Sequence, residues 1–296
     1  MTPTVSVLMT CYNREHLIGE AIQSVLDSDF TDFELIISDD ASTDQTVEVA
    51  RRFAEKDARI KIFVNGSNLG DYGNRNAAAA HAKGTYIKYL DSDDQFYPGG
   101  LRRMVEAMLA HPEAALGIAQ LNKQKLKLGA LPVCLTSAEA YREHFYGKEI
   151  FSFGPSGSII KRSVFFQAGC FSHMRYVSDT EFWLKLAALY PVVKLSDDLV
   201  MWRVHEGQEY QLGHQTHFYL RKVFPIFRQA LHAPNCPLPA DEVAAIMHRL
   251  RWKHARDLLS LGFRSKQPLI AWNIFRETGL SWMQLLKGFQ KFKPVV

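Results

Sequence analysis

Nowhere in the chain does an uncharged stretch reach the roughly 18 residues that a membrane-crossing helix needs, and nothing basic precedes the short apolar run at its start. Neither a spanning segment nor a secretory leader is expected. Cysteine is scarce. Cys11, Cys134, Cys170 and Cys236 stand far apart, so the close spacings of a zinc ribbon or a redox pair are missing and a reduced, cytoplasmic setting is expected. Glycine is absent where a dinucleotide-binding oxidoreductase needs it: the turn after the first apolar run, Thr10-Cys11-Tyr12-Asn13, has no G-x-G-x-x-G. A sugar-nucleotide pyrophosphorylase also calls for a glycine-rich loop there. There is no internal repeat and no low-complexity tract. With 47% apolar and 22% charged residues among 296, the chain is neither disordered nor fibrous and is long enough for one large domain or two.

The net charge of +4 conceals two unlike parts. Residues 1–213 sum to −5 and residues 214–296 to +9. A basic segment of that kind suits an anionic membrane, nucleic acid or an acidic partner, because charge sign selects partners without selecting fold. We therefore expect a catalytic domain over 1–213 and a helical basic extension over 214–296.

In the first third, short apolar runs alternate with helical spacings. Val5 to Met9 predicts a strand and Leu17 to Leu26 a helix; Phe33 to Ile37, Ile60 to Val64 and Tyr86 to Leu90 predict strands, with helices at Thr43 to Glu55 and Arg75 to Ala82. Repeated β-α units imply an α/β fold, a doubly wound and mostly parallel sheet with helices on both faces. Further helices are expected at Pro98 to Ala110, with proline in its first turn, Ser137 to Phe145 and Asp179 to Leu189. Strands are expected at Leu116 to Leu121, Val192 to Leu195 and Val200 to Val204. Beyond His214 the expected helices are Phe218 to Leu231, Ala240 to Leu261 and Ile270 to Phe292, the last broken around Gly279.

In such sheets ligands bind beyond the carboxyl ends of the strands, and the residues found there are acidic. Asp91-Ser92-Asp93-Asp94 puts three carboxylates into four residues at a strand end, where they repel unless a cation compensates. An all-oxygen set suits Mg²⁺ or Mn²⁺ together with a phosphate-bearing substrate. The plainer alternative is an acidic turn capping the next helix. Asp39-Asp40-Ala41-Ser42-Thr43-Asp44 allows the same alternative, yet two adjacent carboxylates at a buried strand end exceed what a cap requires; Asp39 is the one expected to accept from a nucleobase N–H.

Val5 to Asn13, Ser38 to Thr46, Asn68-Leu69-Gly70, Asn74-Arg75-Asn76, Lys83 to Leu101 and Asp179 to Leu186 resemble, in order and spacing, the family 2 glycosyltransferases of the GT-A (Rossmann-like) fold. The resemblance spans about residues 4–205. It implies an inverting, metal-dependent transferase that takes a nucleotide-diphospho-sugar donor, UDP-sugar first, and works on a saccharide or lipid-linked acceptor in polysaccharide or glycoconjugate synthesis. It places Thr10 and Tyr12 beside the base, Asp39 on its N–H, and Arg75 near base or phosphates. Asp93 becomes the direct ligand of Mn²⁺ or Mg²⁺, with Asp91 nearer the ribose, Ser92 beside them and Asp94 assisting. Asp179 becomes the catalytic base; Arg203 and His205 belong to a late motif near the diphosphate and metal. The Gly154 to Ser158 loop would line the acceptor side.

Three positions depart from the family pattern: Thr10 stands where proline is common, Ala41 where glycine is usual, and Ser178 where a glutamate precedes the base. Structural readings remain for Asp179, as a charge at a helix start, and for His205 and Tyr12. A degenerate transferase acting as scaffold is the non-enzyme alternative. The tail interleaves Trp252, Phe263, Trp272, Phe275, Trp282, Phe289 and Phe292 with Arg and Lys, a pattern suited to resting on the inner face of a membrane. Packing on the catalytic domain and oligomer formation are the other uses open to it. Nucleic acid is not an expected partner, since no recognition motif accompanies the charge.

Overall fold

The computed structural model describes residues 2–119, 132–196, 198–203 and 209–291. The chain divides into two compact units, 1–205 and 206–296.

The first unit is built on strands β1 (Val5–Cys11), β2 (Phe33–Asp39), β3 (Ile60–Val64), β4 (Tyr86–Tyr89), β6 (Leu116–Ala119), β7 (Val133–Leu135), β8 (Ser158–Lys161) and β9 (Val192–Leu195), in the order β3-β2-β1-β4-β8-β6-β9-β7. A separate antiparallel pair joins β5 (Gln95–Phe96) to β10 (Val200–Met201). Its helices are α1 (Ile18–Leu26), α2 (Thr46–Ala54), α3 (Asp71–Ala80), α4 (Gly100–Ala110), α5 (Ser137–Arg142), α6 (Arg162–Gln167) and α7 (Ser178–Ala187). Strands β3, β2, β1 and β4 are parallel, as are β6 and β9; β8 and β7 run against their neighbours and make the sheet mixed. Every residue of β2 is buried and β1 nearly so, which is why both read as near-continuous apolar runs. α1 buries Ile18, Ala21, Ile22 and Val25, one face at helical spacing.

Several boundaries differ from the sequence expectation for local reasons. α3 starts at Asp71, four residues before Arg75, because Gly70 turns the chain at φ 78°. α4 starts at Gly100 behind the left-handed Gly99, so Pro98 precedes the helix instead of opening it. α5 ends at Arg142 and passes into a wide turn over Glu143–Lys148. β5, β7, β8 and α6 carry too few residues for a period to emerge. Leu121 and Val204, at the ends of two expected strands, lie outside the described residues, and so does Phe292.

The second unit is helical: α8 (Glu209–Gln215), α9 (Phe218–His232), α10 (Ala240–Leu259), α11 (Pro268–Thr278) and α12 (Trp282–Lys287). Phe224, Ile226, Phe227, Leu231, Ile246, Met247, Leu258 and Ile274 form its interior. His254 stacks on Phe224 at 4.7 Å, and burial pushes its imidazole down to about 4. The expected break at Gly279 is a left-handed cap ending α11 (φ 69°). A capping box between Ser281 and Gln284 then restarts the chain as α12. Among the described residues no helix is long and apolar enough to cross a membrane.

Candidate active site

Parallel strands deliver their last residues to one rim, and in the first unit the rim of β2, β1 and β4 collects the polar residues. Cys11 pairs in register with Asp39, and Leu90 N–H donates to Leu8 O at 2.9 Å, which sets Asp91 just beyond β4. Asp39 and the Asp91 turn are thus separated by one strand, about 10 Å at ordinary sheet spacing.

Asp39 is buried, and one carboxylate oxygen accepts from Ser42 N–H at 2.8 Å. The other lies 3.6 Å from Cys11 Sγ, whose thiol is pushed well up by burial first and by Asp39 second. Asp40 does something different. It accepts from Asn65 Nδ2 at 2.9 Å, Leu69 N–H at 2.8 Å and Gly70 N–H at 3.0 Å, so it holds the Asn68-Leu69-Gly70 turn. Ala41, next in the chain, is left-handed at φ 62°, which supplies the physical reason for glycine in the family pattern. Asp44 accepts from Glu15 N–H and Thr46 N–H, joining the loops after β1 and β2. Thr10 is half-buried opposite Ser38, and Tyr12 is exposed at the rim.

Each member of Asn74-Arg75-Asn76 has a separate task. Asn74 bonds Ser38 through both its oxygen (2.7 Å) and its nitrogen (3.0 Å). Asn76 exchanges hydrogen bonds with the backbone of Phe171. Arg75, almost fully buried, takes Asp71 on Nε at 2.8 Å and Asp91 on Nη1 at 2.7 Å. The rings of Tyr72 and Tyr89 stand 6.0 and 5.6 Å from the guanidinium.

The Asp91 turn is tightly braced. Asp91 N–H donates to Ser156 Oγ at 2.9 Å, and Asp94 N–H to Asp91 O at 2.9 Å. Burial pushes the Asp91 carboxyl up, but Arg75 outweighs it and the net direction is down. Asp94 goes the other way, to about 8, through burial and the repulsion of Asp91 and Asp93. Oxygens of Asp91, Asp93 and Asp94 lie within 4.8 Å of one another. This all-oxygen donor set fits a hard divalent cation. Ser92 is buried within the turn. Arg14 Nε lies 3.8 Å from Asp93.

Arg203 is adjacent but occupied: its guanidinium meets Glu20 at 2.6 Å, Leu17 O at 3.1 Å and the Asp93 carbonyl, while its N–H donates to Asp94 at 3.2 Å. It straps the acidic turn to α1 in this arrangement. His205 lies outside the described residues.

Asp179 opens α7 and is buried, with Thr180 N–H donating to it at 2.6 Å and the Tyr72 hydroxyl reaching it. Burial pushes its carboxyl up to about 7, with Asp71 adding to the rise and Arg75 opposing it. A Cβ on Gly154 would lie 3.8 Å from its Oδ2, so the loop expected on the acceptor side does border this carboxylate. Trp183 Nε1 donates to Phe153 O at 3.0 Å and fixes that loop to α7. Ser178, the departure from the family pattern, donates its hydroxyl to Ser172 O at 2.8 Å.

Four residues of this site were not named from the sequence. Asp71 had a signal, its position four before Arg75. Lys88 also had one, a charge inside an apolar strand: fully buried, it donates to the carbonyls of Tyr89 and Ser156, and burial pushes it down to about 7 against the pull of Asp91 and Asp94. Ser156 lies in the Gly154 to Ser158 loop expected on the acceptor side, but its bond to the Asp91 turn had no signal, and Tyr72 had none, since both depend on which loop meets which helix.

The family model for "Glycosyl transferase family 2" matches residues 6–167. Over 105 residues the chain is 37% identical to the GalNAc(5)-diNAcBac-PP-undecaprenol beta-1,3-glucosyltransferase of Campylobacter jejuni, a stretch covering 35% of this chain and 34% of that one. It is 39% identical, again over 105 residues, to the UDP-Glc:alpha-D-GlcNAc-diphosphoundecaprenol beta-1,3-glucosyltransferase WfgD of Escherichia coli, covering 36% of this chain and 41% of that one. The match therefore spans well under half of either relative. Among solved structures, S. aureus TarS 1-349 in complex with UDP-GlcNAc superposes with a TM-score of 0.66 at 18% identity, covering 96% of this chain and 78% of that one. The mannosyltransferase PcManGT of Pyrobaculum calidifontis, in complex with GDP-Man and Mn2+, gives 0.63 at 18%, covering 97% and 86%. At such identities these two speak for the fold alone.

Proposed function

This chain belongs to glycosyl transferase family 2, and from that premise we propose that it transfers a sugar, with inversion, from a UDP-sugar to a hydroxyl of a lipid-linked saccharide in polysaccharide or glycoconjugate assembly. One observation carries the reading. The buried Arg75 guanidinium pairs with Asp71 and with Asp91, and Asp71 and Arg75 both act on the carboxyl of Asp179, which links the carboxylate suited to be a base to the turn suited to a metal.

Asp39 accepts from the base N–H at one end of the donor, with Tyr12 free to lie against the ring. Asp91, Asp93 and Asp94 would hold Mn²⁺ or Mg²⁺. When bound, that ion supplies positive charge against the departing diphosphate. Asp179 takes the proton of the acceptor hydroxyl: a carboxyl near 7 is about half ionised at neutral pH, and the Tyr72 hydroxyl and Thr180 N–H fix its oxygens. Direct attack by that hydroxyl, with Asp179 as its base, enters from the face opposite the departing diphosphate and inverts the anomeric configuration. Gly154 leaves room beside Asp179 for the incoming sugar. Tight bracing by Ser156, Arg203 and Lys88 supplies the preorganisation such electrostatic catalysis depends on.

The lipid-linked acceptor is supported by the names of the two glucosyltransferase relatives. It is also supported by the second unit, where Phe263, Leu269, Trp282, Met283, Leu286 and Phe289 are each more than half exposed. Phe263 meets Phe289 at 5.9 Å, and Trp282 meets Trp272 at 5.3 Å. Arg264, Lys266, Lys287 and Lys291 are exposed among them. Such a face rests in the headgroup region of an anionic bilayer on the cytoplasmic side, where lipid-linked acceptors are met. Proton NMR of the product formed from a UDP-sugar tests the stereochemistry: the new linkage carries the anomer opposite to the donor's, and a retained anomer would refute the single-base mechanism.

A further inference from the structure

A second group of metal-ligand side chains converges at the far edge of the sheet, with no part in the reaction above. His111 ends α4, Glu113 lies two residues on, and Cys134 belongs to β7, the last strand in the sheet order. His111 Nδ1 is 3.5 Å from Glu113 Oε1, Cys134 Sγ is 3.5 Å from the same oxygen, and all three ligand atoms lie within 4.8 Å of one another. Tetrahedral zinc, with bonds of about 2.0–2.1 Å to nitrogen, about 2.0–2.2 Å to oxygen and about 2.3 Å to sulfur, requires ligand-to-ligand edges of about 3.3–3.6 Å. Both resolved edges fall in that range. The mixture of imidazole, thiolate and carboxylate is one that borderline-soft Zn²⁺ accepts and that Mg²⁺ and Mn²⁺, which favour oxygen alone, do not.

We propose that His111, Glu113 and Cys134 form a Zn²⁺ site, with water in the fourth position, that ties the edge strand β7 to the turn after α4. Binding is balanced by loss of the thiol proton to solvent as the sulfur–metal bond forms. β7 has only three residues paired to β9, and among the described residues its other edge faces no strand, so it is the least supported strand of the sheet. A metal bridge to the α4 turn, itself held by Lys161 Nζ on Pro112 O at 2.9 Å, would pin it. The spacing of the four cysteines concealed such a site because only one of them takes part.

The test uses the metal-free full-length chain titrated with Co²⁺ as a spectroscopic probe and then with Zn²⁺. One equivalent of Co²⁺ should produce the intense visible bands of a tetrahedral ion together with a near-ultraviolet thiolate-to-cobalt band, and Zn²⁺ should abolish both. Cys134→Ser should remove the thiolate band, and His111→Ala should weaken binding by at least the ten- to hundredfold, roughly, that loss of an outer-shell partner costs. Asp93→Asn and Cys236→Ser should leave the thiolate band intact, which separates this site from the carboxylate cluster and from adventitious thiol binding. The proposal fails if the unaltered chain shows no thiolate band, or if Cys134→Ser shows the same one; an ordinary ion pair with a thiol hydrogen bond would give that result.

Discussion

Arg75 Nη1 stands 2.7 Å from a carboxylate oxygen of Asp91 while its Nε holds Asp71 at 2.8 Å, so one buried guanidinium links α3 to the turn after β4. Because Asp71 and Arg75 both act on Asp179, the electrostatics of base and acidic turn are coupled through it.

Asp179→Asn should cut transfer about 10²- to 10⁴-fold while sparing donor binding, the usual worth of a positioned general base. Steady-state rates beside UDP titrations of the variant check both parts; near-full activity would remove Asp179 from the mechanism.

The same carboxyl sets a pH dependence. Its folded value is raised to about 7 by burial, so catalysis at saturating metal should rise about tenfold per pH unit below 7 and level off above it. Stability runs the other way: the contribution of the neutral acid is complete below the ordinary carboxylate range and is lost as pH climbs towards 7. Asp179→Asn should therefore be more stable than the unaltered chain at pH 8, by about 4 kcal/mol, with the gap closing at acid pH. Thermal melts across pH show whether it does.

Asp40→Ala should destabilise the first unit by about 2–4 kcal/mol, since two backbone N–H groups and Asn65 lose a charged acceptor together. Chemical denaturation measures this. A change within about 0.5 kcal/mol would show that the Asn68–Gly70 turn does not depend on Asp40.

Ala41→Gly should stabilise by about 0.5–1 kcal/mol, the left-handed cost of alanine less the extra freedom glycine has when unfolded. A lower melting temperature would contradict the strain assigned to this turn.

On vesicles containing anionic lipid the full chain should float, and should do so less with added salt or after Trp282→Ser and Phe289→Ser are combined. Equal flotation on neutral vesicles, or none at all, would detach the exposed aromatic face from membrane binding.

Much of the fold and the rim was legible in the sequence because parallel strands announce themselves as buried runs and deliver their next few residues to one rim; Asp39, Asp91 and Asp93 needed only that rule. Family membership, expected from the motifs, is borne out by the family model. The features that stayed hidden depend on long-range pairing. Asp40 beside Asp39 looks identical in sequence, yet one carboxylate faces Cys11 and the other is consumed by a turn near residue 70. The pairing of Arg203 with Glu20 joins positions far apart in the chain, which no local pattern announces. Ser156 reaches the Asp91 turn only because β8 lies antiparallel beside β4, and no local period foretells that pairing.

The most direct measurement is calorimetric titration of UDP into the full chain with Mn²⁺, with chelator, and with Asp93→Asn and Asp179→Asn. Binding that requires Mn²⁺, disappears in Asp93→Asn and persists in Asp179→Asn is the predicted result. UDP binding indifferent to both chelator and Asp93→Asn would contradict the account.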